Sequence, residues 1–139
     1  MDGNRILLVE DNADDEALML DAFDRCGLNA RVDVARDGAE ALEILLHTPL
    51  QDEELPRLVL LDLRLPKVAG LDVIRRLRVE ARTRYLPIVV LTSSSQQEDI
   101  RNSYVNGANA YVRKPIDFEQ FLDVVRAINS FWLKANETV

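Results

Sequence analysis

The chain has 139 residues, a length that fits one domain with a single buried core. Its 47% apolar and 29% charged residues match ordinary globular usage, which argues against a disordered chain. A net charge of −7 argues against non-specific nucleic-acid binding, which needs a concentrated basic face. No apolar run approaches the roughly 18 residues that a membrane span requires. The first strand begins by Arg5-Ile6, leaving no room for a signal peptide, so a cytoplasmic protein is expected. A single cysteine, Cys26, makes no internal disulfide and reads as a packed small hydrophobe.

Strand-like and helix-like segments alternate five times along the chain. Strands are expected near 5–10, 31–35, 57–62, 87–92 and 109–113. Helices are expected near 13–26, 38–47, 70–81 and 96–106, with a last one from about 117 to 134. Continuous apolar strands separated by helices predict an α/β fold, a parallel sheet covered on both faces. Asp14, Asp15 and Glu16 crowd one helix start, where the positive dipole end favours them. Asp37-Gly38-Ala39-Glu40 and Ser95-Gln96-Gln97-Glu98 have the spacing of capping boxes, and Gly27 and Gly107 stand where helices should stop. The longer connection from Pro49 to Pro56 reads as a surface loop without chemistry.

Four of the strands end in polar signals: Glu10-Asp11, Asp62, Thr92 and Lys114. Ligands of open α/β sheets bind outside the carboxyl ends of the strands, so these residues should share one rim. Three carboxylates gathered without compensation repel and raise one another's pKa. Mg²⁺ relieves that repulsion by accepting carboxylate oxygens while leaving positions for water and phosphate. Lys114 offers a point charge and Thr92 a hydroxyl donor to a phosphoryl group in transfer. Asp62 would then be the nucleophile of an aspartyl phosphate. Alone, each of these residues reads as a cap, a strand residue or a surface lysine; their ordered set makes the signal.

At this point the chain resembles a response-regulator receiver domain of bacterial two-component signalling. The likeness rests on Ile6-Leu-Leu-Val-Glu-Asp-Asn12, Leu60-Leu-Asp-Leu-Arg-Leu-Pro66, Val90-Leu-Thr-Ser93 and Tyr111-Val-Arg-Lys-Pro115. It implies a flavodoxin-like (βα)5 fold, strand order 2-1-3-4-5, filling residues 1–139 as a single receiver domain. It also implies that Asp62 takes phosphate from a sensor histidine kinase. Asp11 would bind Mg²⁺ directly, Glu10 through water, and the backbone carbonyl of Arg64 would complete the ligands. Lys114-Pro115 resembles the family's Lys-Pro with a cis bond at Pro115. Phosphate would draw the Thr92 hydroxyl inward, vacating space for Tyr111, at the switch-aromatic position, to swing from exposed to buried. Arg64 and Ser94 occupy the two positions that in this family tune dephosphorylation. His47 reads as a helix-surface residue.

The last helix carries apolar residues over an arc of roughly 200°, against the roughly 100° stripe that docks one helix face. Its surplus predicts an interface, expected to be a homodimer through Phe121, Val124, Ile128, Phe131 and Trp132. A helix end covered by the chain's own tail is the plainer alternative. Phe131-Trp132-Leu133, with Glu-Asp-Asn at the start, resembles the lone receivers paired with bacterial phytochrome kinases.

Three other readings compete. A Mg²⁺-dependent phosphohydrolase of the haloacid dehalogenase type also uses Asp, Thr and Lys, but needs a second aspartate where Arg64 stands. A phosphorylation-independent binding module would not need the intact acidic set. A nucleotide or flavin binder would need a glycine-rich loop after the first strand. No helix-turn-helix follows residue 139, so a DNA-binding output is not expected.

Overall fold

The structure is a computed structural model that describes residues 4–28, 30–47 and 55–139. Five strands form one parallel sheet: β1 (Arg5–Val9), β2 (Arg31–Ala35), β3 (Leu58–Leu61), β4 (Ile88–Thr92) and β5 (Ala110–Arg113), in the order β2-β1-β3-β4-β5. The α-helices are α1 (Ala13–Arg25), α2 (Gly38–Leu42), α3 (Gly70–Val79), α4 (Gln97–Asn106) and α5 (Phe118–Ser130). The predicted fold class and strand order both stand.

Alternation along the strands builds two cores. Leu7, Val9, Val59, Leu61 and Val90 point to the face that α2 and α3 cover. Ile6, Leu8, Leu58, Leu60, Val89 and Leu91 point to the opposite face, under α1 and α5. Both sets are buried, which is why these strands read as unbroken apolar runs in the sequence. Most of the Pro49–Pro56 connection lies outside the described residues.

Helix ends follow local chemistry, with one displacement. Asn12 caps α1 by accepting from the Asp15 N–H at 2.9 Å, and Asp37 caps α2 by accepting from Glu40 at 2.7 Å. Glu40 closes back onto the Arg36 N–H rather than that of Asp37. The capping box expected at Ser95 is absent: α4 starts from Gln96, which makes no side-chain cap bond. Ser94 bonds just before the helix, its hydroxyl accepting from the Gln96 N–H at 3.3 Å. Gly27 and Gly107 adopt φ of +64° and +113°, the left-handed caps that glycine permits.

Two helices end in π-helical turns, Glu43–His47 after α2 and Phe131–Ala135 after α5. The second corrects the expectation of a continuous helix to residue 134. Its wider turn is closed by the Asn136 N–H on the Phe131 carbonyl, an i to i+5 bond of 2.7 Å. A regular helix would bring Trp132, four residues past Ile128, onto the buried stripe. With one residue inserted, Leu133 takes that slot and is 2% exposed.

At the pole where the strands begin, Arg78 of α3 gathers separate loops. Its guanidinium donates to the carbonyls of Gly107, Thr83, Arg84 and Leu86 and to the Asn109 side chain. Burial lowers its pKa from the ordinary arginine value. A Cβ at Gly107 would lie 2.7 Å from the Arg78 side chain, so the cap also leaves room for this staple.

Candidate functional site

Register brings the predicted rim residues together. Val9 pairs with Leu61 and Leu61 with Val90, so the next residues of β1 and β3, Glu10 and Asp62, emerge side by side. The Asp62 N–H donates to the Val9 carbonyl, and the Lys114 N–H to the Thr92 carbonyl at 2.7 Å, which fixes both residues at the sheet's edge. Gly70 opens α3 directly against this point. A Cβ there would sit 2.6 Å from the Asp62 carbonyl oxygen, so only glycine lets α3 pack onto the strand end.

Both oxygens of Asp62 are engaged. Thr92 Oγ1 donates to Oδ1 at 2.9 Å, joined by the Arg64 backbone N–H at 3.3 Å. Lys114 Nζ donates to Oδ2 at 3.0 Å, to Glu10 Oε1 at 2.7 Å and to Asp15 Oδ2 at 3.1 Å. The Asn12 N–H donates to the second Glu10 oxygen at 3.2 Å. Glu10, Asp62 and Thr92 are buried, while Asp11 is exposed at the mouth.

Electrostatics here are a balance of opposed terms. Burial raises the Glu10 pKa above the ordinary glutamate value, with Asp62 adding to the rise, against a lowering by Lys114. For Lys114 burial acts downward, but its hydrogen bond to Glu10 and the charges of Asp62 and Glu10 outweigh it, holding the ammonium above the usual lysine range. The lysine is therefore the fixed counter-charge of the acidic rim.

The donor set suits a small divalent cation. One oxygen from each of Glu10, Asp11 and Asp62 lies within 4.8 Å of the others. Ligands 2.0–2.1 Å from an octahedral Mg²⁺ stand about 3 Å apart when adjacent and about 4 Å when opposite, so the three side chains would draw inward to seat one. The oxygen-only chemistry of the three groups fits a hard ion.

Tyr111 is half-buried, packs on the core, and donates its hydroxyl to the Ser94 carbonyl at 2.9 Å. In the same structure the Thr92 hydroxyl lies on Asp62. Among the described residues no peptide bond is cis, so the bond before Pro115 is trans, contrary to expectation. Trans is the lower isomer by about 0.5–1 kcal/mol, and Lys114 is already placed by its strand bond and three carboxylates.

Sequence reasoning missed Asp15 and Asp99. Asp15 was read only as a dipole-favoured residue of α1, yet it reaches Lys114. Asp99, in the first turn of α4, accepts from the Ser94 hydroxyl and lies 3.7 Å from the Arg64 guanidinium. Their shared signal was an acid in the first turn of a helix that leaves the rim. His47 is exposed, as expected.

The expected interface set needs correction. Phe121 and Ile128 are each 3% exposed and belong to the chain's own core with Leu122 and Val125. The stripe that faces the sheet is wider than one row, because α5 packs on both α1 and the strands. Val124 and Trp132 are half-buried, and Phe131 is 50% exposed, edge-on to Trp132 with ring centroids 4.9 Å apart.

The family model of the response regulator receiver domain matches residues 6–126. The probable methanogenesis regulatory protein FilR2 of Methanothrix harundinacea is 43% identical over 96% of this chain and 86% of its own length. Among solved structures, the phosphorylated cyanobacterial phytochrome response regulator RcpA is 32% identical with a TM-score of 0.87, covering 97% of each chain. The Mn²⁺-bound form of response regulator Rcp1, a protein of Synechocystis sp., is 31% identical with a TM-score of 0.84, covering 98% of this chain and 99% of that one.

Proposed function

Because the chain belongs to the response-regulator receiver family of two-component signalling, we propose that Asp62 is its phosphoacceptor, served by a histidine kinase and Mg²⁺. The observation that carries this reading is the double engagement of Asp62, Thr92 on one oxygen and Lys114 on the other, beside two further carboxylates.

In the transfer, an Asp62 oxygen bonds to phosphorus, the phosphorus–nitrogen bond of the kinase's phosphohistidine breaks, and its electron pair returns to the imidazole. Lys114 and Thr92 trade contacts with Asp62 for contacts with phosphoryl oxygens as charge spreads over them. Glu10, Asp11, Asp62 and the Arg64 carbonyl would hold Mg²⁺, which supplies a divalent charge that screens the carboxylates and the phosphoryl oxygens. Mn²⁺ bound to Rcp1 supports a divalent site of this kind. Tyr111, tied to Ser94, reads the Thr92 position and passes the state to the β5 face.

The output is a conformational change read by protein contact, with no turnover of a separate substrate. The phosphohydrolase reading loses its general acid, because Arg64 stands two residues past Asp62. A cytoplasmic phytochrome kinase is the proposed partner, supported by the likeness to RcpA. Self-association through Phe131, Val124 and Trp132 is proposed from their exposure and half-exposure on the last helix.

The test is acid-labile labelling by acetyl phosphate. Wild-type chain should take up label with Mg²⁺, and Asp62→Asn should take up none. Equal labelling of Asp62→Asn would move the phosphoacceptor elsewhere. Undiminished labelling in chelator would remove the metal from the mechanism. Phosphotransfer from a phytochrome kinase should outpace transfer from other purified histidine kinases.

A further inference from the structure

Four hydrogen bonds close a ring beside Asp62. The Asn12 N–H donates to Glu10 Oε2 at 3.2 Å, and the Asn12 side chain accepts from the Asp15 N–H at 2.9 Å. Lys114 Nζ then donates to Asp15 Oδ2 at 3.1 Å and to the other Glu10 oxygen at 2.7 Å. The end of β1, the first turn of α1 and the residue after β5 are thus tied into one frame. The third contact of the ammonium leaves the ring and reaches Asp62 Oδ2 at 3.0 Å.

Lysine carries three N–H donors on a flexible four-carbon stem. One carboxylate leaves such a head free to turn, whereas two held protons fix the direction of the third. Of the three carboxylates on Lys114, Asp15 alone is neither the phosphoacceptor nor one of the groups gathered for a metal. Its side chain is 43% exposed, and an ion pair so placed contributes little to folding. Against burial, which acts downward on the Lys114 pKa, the upward pull comes from Glu10 and Asp62. Asp15 therefore adds direction to the ammonium rather than charge.

We propose that Asp15 is a positioning residue that, with Glu10, aims the third Lys114 proton at the place a phosphoryl oxygen takes beside Asp62. The proposal rests on Asp62 as phosphoacceptor. With acetyl phosphate as donor, an Asp62 oxygen bonds to phosphorus, the bond from phosphorus to the acetate oxygen breaks, and its electron pair leaves with acetate. As Asp62 gives up its carboxylate charge, the aimed N–H turns its hydrogen bond to a phosphoryl oxygen, and the proton stays on Lys114. Without Asp15 the ammonium samples other directions, and a misplaced stabilising charge slows the step.

The experiment compares the rate of acid-labile labelling by acetyl phosphate at saturating Mg²⁺ in wild type, Asp15→Ala, Asp15→Asn and Asp14→Ala. Asp14 shares the charge and the helix turn of Asp15 but is exposed, so it controls for charge and for the helix dipole. Asp15→Ala should label about three- to tenfold more slowly, Asp15→Asn by less because it keeps an acceptor oxygen, and Asp14→Ala at the wild-type rate. The Mg²⁺ concentration that gives half the maximal rate should be the same in Asp15→Ala and Asp14→Ala. A shift in Asp15→Ala alone would make Asp15 part of the metal site and overturn its positioning role. In a Lys114→Ala background, Asp15→Ala should change the rate no further, because nothing is left to aim. Should Asp15→Ala fail to fold, Asp15→Asn carries the same comparison. Asp15→Ala labelling as fast as Asp14→Ala, or an effect that persists without Lys114, would overturn this proposal alone. A wild-type chain that takes up no label would overturn the phosphoacceptor reading and this proposal with it.

Discussion

The acidic rim and the last helix hold their side chains together by opposite means. At the rim, Glu10, Asp62 and Asp15 surround one ammonium, and burial raises the Glu10 pKa even with Lys114 in contact. Such a cluster stores electrostatic tension that a divalent ion relieves. Along α5, Phe121, Leu122, Val125, Ile128 and Leu133 are close-packed under the sheet and carry no chemistry. The comparison teaches that the chemistry sits where folding is strained, and the stability where there is no chemistry.

Substitutions should separate the two regions. The largest effect is expected for Asp62→Asn, which should abolish labelling yet raise the melting temperature in chelator, since one of the crowded charges is gone. A lower melting temperature would mean that Asp62 stabilises the fold, and the contrast would fail. Next, Leu133→Ala should cost about 2–5 kcal/mol in denaturant unfolding while labelling stoichiometry holds. Loss of labelling in a folded Leu133→Ala chain would join the two regions.

Trp132→Ala should cost less than Leu133→Ala, because Trp132 is only partly buried, and it should weaken any self-association seen by ultracentrifugation. An unchanged dimer would place the interface away from this turn. The smallest effect sharpens the rim side through pH. The Glu10 pKa is raised above 4.5, so its neutral form is favoured by folding. In chelator, Glu10→Gln should then be more stable than wild type at neutral pH. That gap should narrow as pH falls through the raised value toward 4.5, where wild type also carries a neutral group. A gap that widens on acidification would reverse the sign argued for Glu10.

The rim was legible in the sequence for a physical reason. Buried parallel strands leave no polar residue inside, so the first polar group after an apolar run marks the sheet's edge, as at Glu10 and Asp62. Strand order followed from the same runs only through the family resemblance. The last helix was less legible, since periodicity counts apolar residues but cannot see a π-helical turn. That turn moves Leu133 onto the buried stripe in place of Trp132, and Phe121 and Ile128 prove to be core. Asp15 and Asp99 escaped notice because an acid in a helix's first turn has an ordinary explanation in the dipole. The trans bond at Pro115 had no sequence signal beyond the resemblance that suggested the other isomer.

Arg78 gives the molecule a mechanical asymmetry. By clasping loop carbonyls from the start of β4 and the end of α4, it bolts down the pole farthest from Asp62. Five hydrogen bonds thus tie the loops about Leu86 and Gly107 to a single guanidinium at that pole. Opening of the fold should therefore start elsewhere than at these loops, whose backbone carbonyls share one half-buried cation.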